Sequence, residues 1–259
     1  MKVEVLLSVM NLNKTDLDKM NITSKCTVIN QCGKKGEELY KNFHIYSYDE
    51  KGISISRNRG LDHVDGDIIL LCDDDIVYDE YYVKKVSDEF ARNKKADVIL
   101  FNFKSPNRYK RPLKKRKKLH IYNSLNYATY NIAFKKRSVQ DAGIRFNTNF
   151  GPGAKFSNGS DTIFIRDIYR KKLRVYSSPE WLGTVYNTKS TWFTGYDEKF
   201  FFNKGALFTA IFPPLRHLLM VQYLLRHKEV FSELSFINAY YQMRKGSMEY
   251  LNCQKEFER

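Results

Sequence analysis

The chain has 259 residues and carries 44 lysines and arginines against 29 aspartates and glutamates, a net charge of +15. That length fits one large domain, or a domain with an appendage, and either buries a full core; two unrelated domains are not expected. The positive surplus, with 18 Tyr and 18 Phe, points to an anionic partner: a lipid surface, a phosphorylated substrate or nucleic acid.

In chain order, Val3 to Val9 reads as a first strand, ending at Met10-Asn11-Leu12-Asn13, where polar side chains can meet a ligand. This opening is too short and too acidic for a signal peptide, and no stretch is both long and uncharged enough to span a bilayer. The expected location is therefore the cytosol. Cys26-Thr27-Val28-Ile29 reads as a second strand, followed by Asn30-Gln31, and Phe43 to Tyr48 as a third. Cys26, Cys32, Cys72 and Cys253 show neither a C-x-x-C pair nor the histidine spacing of a zinc site, which predicts free thiols rather than a disulfide framework.

Gly52 to Asp75, GISISRNRGLDHVDGDIILLCDDD, is the most informative stretch. Ser54 is expected to cap a helix whose first turns carry Ser56, Arg57 and Asn58; Asp65-Gly66-Asp67 breaks the chain; and Ile68 to Leu71 suits a buried strand. Asp73, Asp74 and Asp75 then stand at that strand's C-terminal end, where open α/β sheets bind ligands and where adjacent acids repel unless a cation or water relieves them. A solvated acidic loop is the usual fate of such a run, but it does not explain an apolar strand feeding straight into it. Near the helix start, the Arg57 guanidinium suits two-pronged pairing with a diphosphate.

Tyr81 to Asn93 has helical spacing, and Ala96 to Phe103 reads as the next strand. The run containing Lys110, Arg111 and Lys114 to Lys118 reads as a solvated basic loop, or as a holder of anionic headgroups or of a pyrophosphate-linked acceptor. Asn131 to Phe134 is a predicted strand and Lys136 to Ala142 a short helix. In Phe146 to Asp167, Gly151-Pro152-Gly153 and Asn158-Gly159 make turns, and Ser160 is expected to cap a helix beginning with Asp161. Arg174 to Tyr176 reads as one more strand, before Pro179-Glu180-Trp181. From Lys204 the composition changes to an apolar stripe with basic flanks. Such a pattern suits a helix on a membrane surface, one packed on the main domain, or a contact with a second subunit.

The order SxSRNxGL, GDIILL, acidic cluster and Ile76 resembles the donor half of the family 2 glycosyltransferases with the GT-A fold. The resemblance implies transfer of a sugar from a nucleoside diphosphate to an acceptor hydroxyl, usually with inversion, and a divalent metal, Mg²⁺ or Mn²⁺, held by a D-x-D-type cluster. Aligning Ile76 with the apolar residue that follows D-x-D-D places Cys72 where the first Asp should be and leaves Asp74, with Asp75 beside it, as metal ligand. A literal D-x-D selects Asp73 and Asp75. The resemblance places Asn11 against the nucleotide base and puts Asn30-Gln31 where relatives carry two acids, one of which reads the uracil edge; amides offer both donor and acceptor for that role. It also matches F-x-x-x-F-G-x-G at Phe146 to Gly153, then G-[ED]-D at Gly159 to Asp161. Asp161 is thereby the implied general base, with Ser160 replacing the family's Glu on the acceptor side. Asn187 falls where relatives place a metal-shell histidine, and Trp192 can form a sugar platform, with a buried aromatic as the plainer reading.

The expected architecture is a GT-A-like α/β domain of mixed, mainly parallel sheet flanked by helices over residues 1–203, with a helical C-terminal extension over 204–259. Residues 1–103 form the expected nucleotide-sugar half and 104–203 the acceptor half. The expected reaction is metal-dependent inverting transfer from a UDP-sugar to a glycan or lipid-linked glycan, as in bacterial surface polysaccharide assembly. The charge and the extension suggest peripheral contact with an anionic membrane, and the C-terminal helices offer a surface for oligomerisation. A sugar-phosphate nucleotidylyltransferase would carry a Gly-rich basic loop after its first strand, and Asn11 to Asp18 has no glycine. A nucleic-acid-binding protein has no use for acids at a strand end, so no nucleic-acid partner is expected.

Overall fold

The apolar runs of the first half become the centre of a sheet because they are buried on both faces, as parallel strands covered by helices must be. β1 (Val3–Met10) pairs in parallel with β2 (Lys25–Gln31) on one side and with β5 (Ile68–Cys72) on the other. β3 (Gly36–Tyr40) and β4 (Phe43–Tyr48) extend the β2 side, β4 parallel to β2 and β3 antiparallel at the edge. Beyond β5 lie β9 (Ile132–Lys135), β7 (Val98–Lys104), β10 (Val175–Val185) and β6 (Ile76–Tyr78), while β8 (Lys117–Lys118) pairs with β10. The result is a mixed, mostly parallel sheet in the order β3-β4-β2-β1-β5-β9-β7-β10-β6. This computed structural model describes residues 1–106, 111–186, 195–227 and 234–257.

Helices flank the sheet. α1 (Lys14–Lys19) is capped by the Asn13 side chain, which accepts from the Thr15 amide. α2 (Ile53–His63), α3 (Tyr82–Arg92), α4 (Lys136–Asp141) and α5 (Ser160–Arg170) follow in the chain. On the α5 side, Ile69, Phe134, Phe146, Phe164 and Ile168 share one apolar cluster, and Phe146 stacks on Phe164 with ring centroids 4.1 Å apart.

Two helix starts differ from expectation. Gly52, at φ 128°, and Gly159, at φ 99°, are the N-caps of α2 and α5, without a side-chain cap bond; Ser54 and Ser160 lie inside the first turns. Both serine hydroxyls are used across the molecule instead. Three short strands had no pattern to announce them. β3 is exposed along most of its length, and β6 and β8 are too short for periodicity to register. The basic run is accordingly not all loop: Lys117 and Lys118 are β8, and Arg116 is held by Glu89 at 2.7 Å and Glu180 at 3.2 Å. β10 continues past Tyr176 through Pro179, because its register against β7 shifts between Ser177 and Trp181 and so spares the proline a ladder bond.

The C-terminal segment begins with α6 (Glu198–Ile211), capped by Asp197, so the expected change at Lys204 falls inside a helix. A short 3₁₀ turn, Pro213–Leu215, leads to α7 (Arg216–Arg226), and α8 (Phe236–Phe257) follows. α6 and α8 cross at backbone contact: a Cβ on Gly205 would strike the Met243 carbonyl, and one on Gly246 would strike that of Phe202. Tyr250 of α8 packs edge-on against Phe150, 5.3 Å between centroids, and against Phe156, while Lys155 pairs with Glu249. The extension is therefore packed onto the loop between Phe146 and Ser160. All four cysteines lie among the described residues and are free, and no helix of the described residues is long and apolar enough to cross a membrane.

Candidate active site

β1, β2 and β5 run in parallel, with Met10 opposite Gln31 and Leu7 opposite Cys72, so their C-terminal ends open on one edge of the sheet. Asn11, Asn30, Gln31 and the acids all stand at this edge. Asn11 takes the left-handed backbone that Asn tolerates, φ 50°, with its side chain exposed and its N–H donating to the Gln31 carbonyl at 3.2 Å. The two amides expected to read a base have structural partners. Asn30 Oδ1 accepts from the Leu12 amide at 3.0 Å, and Gln31 Oε1 accepts from the Gly52 amide at 2.7 Å. They hold the turn after β1 and the head of α2 in place, and a base-reading role falls to whatever capacity remains.

The SISRN helix and the FGPG-NGSD block are joined along their length. Ile53 N–H donates to the Pro152 carbonyl, the Ser54 hydroxyl to that of Phe150 at 2.7 Å, and the hydroxyls of Ser54 and Ser160 meet at 2.7 Å. Asn58 pairs with both backbone groups of Phe146, donating at 2.9 Å and accepting at 2.8 Å. The approach is close enough that a Cβ on Gly151, at φ 105°, would press Ile53, and one on Gly153 would meet Gly52. Ser54, Asn58 and Ser160 are thus fasteners between two blocks about a hundred residues apart in sequence.

Arg57 lies at the centre of this junction. Its side chain is 7% exposed, and its two terminal nitrogens reach Asp73 Oδ1 at 2.8 Å and Asp161 Oδ1 at 2.9 Å, with the guanidinium over the Phe146 ring. Burial works against its charge, but Asp161 and Asp73 outweigh that and raise its pKa. The fork expected to grip two phosphate oxygens of a diphosphate is engaged in this structure by two carboxylates. Asp161, in the first turn of α5, also accepts from the Thr129 amide at 3.2 Å. The Thr129 contact has no sequence signal, because an isolated backbone N–H donor carries none. The Thr129 hydroxyl, with those of Ser8 and Ser56, is buried without a partner among the described residues.

The acids behave as a crowded group. Burial pushes the Asp73 carboxyl up; Arg57 pulls it down, and Asp161 and Asp74 add to the rise. Asp75 is pushed up to about 6 by burial and then by Asp73 and Asp74, while Asp74 is exposed. Among the described residues no three His, Cys, Asp or Glu side chains converge as a metal cage. The donor set still fits Mg²⁺ or Mn²⁺, hard cations that take one or two carboxylates and complete their shell with waters and substrate phosphates. A cation beside Asp74 and Asp75 relieves the repulsion that raises Asp75. The Tyr186 amide donates to the Asp75 carbonyl at 2.8 Å, so β10 ends against the acids. Asn187 and Trp192 lie outside the described residues, as does Lys110 of the basic run.

Residues 28–154, which include the SISRN helix, the acids and the FGPG turn, match the family model described as Glycosyl transferase family 2. These residues form a glycosyltransferase family 2 domain. The fold of this glycosyltransferase is similar to that of S. aureus TarS 1-349, with a TM-score of 0.61 and 13% identity over 100% of this chain and 91% of that one. It is also similar to that TarS fragment in complex with UDP-GlcNAc, with a TM-score of 0.60 and 14% identity over 97% and 72%. A third similar structure is the mannosyltransferase PcManGT from Pyrobaculum calidifontis in complex with GDP-Man and Mn²⁺, with a TM-score of 0.55 and 13% identity over 95% and 73%. No curated protein sequence matches the glycosyltransferase.

Proposed function

We propose that this glycosyltransferase moves a sugar from a nucleoside diphosphate, UDP in the first instance, to a hydroxyl of a glycan or lipid-linked glycan, by a single inverting displacement. The observation that carries the reading is the Arg57 bridge, which holds Asp161 of the acceptor block and Asp73 of the donor acids on one guanidinium. A carboxylate on the acceptor side is what removal of a hydroxyl proton needs, and it must be held within hydrogen-bond reach of that proton. Asp161 takes the proton at its carboxylate; Arg57 and the Thr129 amide fix the orientation of the group. Asp74 and Asp75 would hold Mg²⁺ or Mn²⁺, which supplies charge neutralisation for the departing diphosphate. Asn11, at the open edge, would meet the nucleotide, and Ser160 precedes the proposed base on the acceptor side.

The same proposal includes the inner face of the cell membrane as the place of work. Leu218 and Leu225 of α7 and Ile237 and Tyr241 of α8 are more than half exposed, beside Arg226, Arg244 and Lys245, an apolar and basic surface suited to anionic lipid. Residues 1–203 are proposed as the catalytic unit, with the remainder bracing its acceptor loop and meeting the membrane.

The deciding experiment is Asp161→Asn. The amide oxygen can accept from Arg57 or from Thr129 but not from both, and its NH2 then faces the other donor, so some stability is lost; UDP affinity should stay within about twofold while transfer falls by roughly 10²–10⁴-fold. Near-native transfer removes Asp161 from the mechanism.

A further inference from the structure

At the end of α5 opposite Asp161 the surface opens into a cavity of about 430 Å³, within the size range of small-ligand sites. Its walls come from β8 and the turn after it, Lys118 to Tyr122, and from the end of α5 and the approach to β10, Tyr169 and Lys172 to Arg174. No acidic residue among the described ones lines it. Arg174 is engaged by Asp97 at 2.9 Å, but Lys118 and Lys172 are exposed and have no anionic partner among the described residues. Lys172 takes a left-handed backbone, φ 59°, at the position after the helix end where glycine is the usual residue; the chain keeps a lysine there against that preference. Leu119 and Leu173 supply apolar surface, and Tyr169 is fixed by a 2.7 Å hydrogen bond between its hydroxyl and that of Ser124. Tyr122 stacks on Phe212 and is still 76% exposed, leaving a broad aromatic face open beside the two lysines.

We propose that this cavity is a remote acceptor subsite that binds an anionic glycan chain, with Lys118 and Lys172 taking its charged groups and Tyr122 carrying a sugar ring. The inference rests on the glycosyltransferase reading for its choice of occupant. Its geometry is set by α5. Tyr169 and Asp161 are eight residues apart on one helix, about 12 Å at 1.5 Å per residue. The segment after Tyr122 runs beside that helix, touching it at Tyr169 through Ser124, at Thr162 through the Leu125 carbonyl, and at Asp161 through Thr129. A chain with one hydroxyl at Asp161 and a charged unit in the cavity therefore spans a few extended units along α5. The cavity selects charge and the first turn of α5 selects the reacting hydroxyl, so acceptor affinity and chemistry reside in different places.

The test uses the full chain and two anionic probes, a short linear inorganic polyphosphate and an oligogalacturonate, with a neutral malto-oligosaccharide for comparison. Binding is read by calorimetry without donor. Lys118→Gln/Lys172→Gln should weaken the better anionic probe at least tenfold and Tyr122→Ala several-fold. Lys34→Gln/Lys35→Gln, which removes equal charge at the far end of the sheet, should change it less than twofold. Preference for one probe identifies the charged group as phosphate or carboxylate. Equal losses in the two double variants reduce the effect to diffuse charge and overturn the subsite, as do unchanged binding in the cavity variants, tighter binding of the neutral probe, or no anionic binding by the unaltered chain. UDP affinity, measured in parallel, should be the same in every variant; its absence throughout overturns the donor reading and leaves the anion result to stand or fall separately.

Discussion

Replacing Arg57 by Met removes a cation from between two carboxylates while roughly keeping the length of the side chain. Two charge-assisted hydrogen bonds, at 2.8 and 2.9 Å, are lost, and Asp73 and Asp161 are left facing one another. Breaking a fully buried pair costs about 3–5 kcal/mol and an exposed one about 0–1. Arg57 is 7% exposed but its partners are 31% and 32% exposed, so water can relieve part of the loss and about 2–4 kcal/mol is expected. For a chain of this size that corresponds to a fall of roughly 5–15 °C in the unfolding midpoint. Adding Asp161→Asn to Arg57→Met removes one of the stranded charges and should restore at least about 1 kcal/mol, a non-additivity that a double-mutant cycle in urea reads directly. The pH dependence has a definite sign. Asp73 is already raised by burial, and without the guanidinium it should titrate further above its unfolded value, about 3.9 for Asp. The folded variant then takes up a proton first, so its deficit against the parent shrinks as pH falls through the further raised value and levels off below the parent's own folded value. Single effects that add to within about 0.5 kcal/mol, or a deficit that widens in acid, refute the bridge as the link between the two blocks.

Calorimetry of UDP with Mg²⁺ and with chelator should show affinity at least tenfold weaker in chelator, and Asp74→Asn should reproduce that loss in Mg²⁺; undiminished binding in either removes the metal from the acids. Asp97 is buried enough to push its carboxyl up, but hydrogen bonds from the Arg174 side chain and amide and from Ser138 outweigh this and hold it below the usual range. With Arg174 46% exposed, Asp97→Asn should cost about 1–2 kcal/mol near neutrality. That cost should vanish as pH falls through the lowered folded value; urea titrations at several pH values showing a constant difference contradict it. Flotation with anionic vesicles should fall in Leu218→Ser/Ile237→Ser and at high salt, and partitioning indifferent to both rules out the membrane surface.

The parts of this fold that were legible in the sequence are those whose signal is local. Ile68 to Leu71 announces a doubly buried strand by being unbroken, and the acids announce the strand's end by following it. Asp161 is locatable by the same logic, through the turn that delivers it to a helix start. What stayed hidden depends on partners distant in the chain. A serine two residues into α2 looks like a cap until Ser160, 106 residues away, is seen to meet it. Arg57 looks like a ligand for an anion because guanidinium chemistry does not reveal whether the anion is a substrate or two of the protein's own carboxylates. Asn30 and Gln31 present the same ambiguity, each with its amide oxygen taken by a backbone N–H. Edge strand β3 was invisible for a different reason: exposed on both sides, it has no apolar alternation to read.

The seam between the SISRN helix and the FGPG-NGSD block bears on how such an enzyme can be recombined. Because Asn58 is matched to the backbone of Phe146, Ser54 to Ser160 and Gly52 to Gly153, a cut placed anywhere between residues 62 and 145 separates the two sides of one joint. A hybrid that takes its donor-recognising portion from one relative and its acceptor-recognising portion from another inherits half a seam from each parent. Exchange of the entire stretch from Gly52 to Asp161 carries both sides together, and with them the two carboxylates that share Arg57. New acceptor preferences are then best grafted outside that stretch, where the exchanged surfaces need not mate with α2.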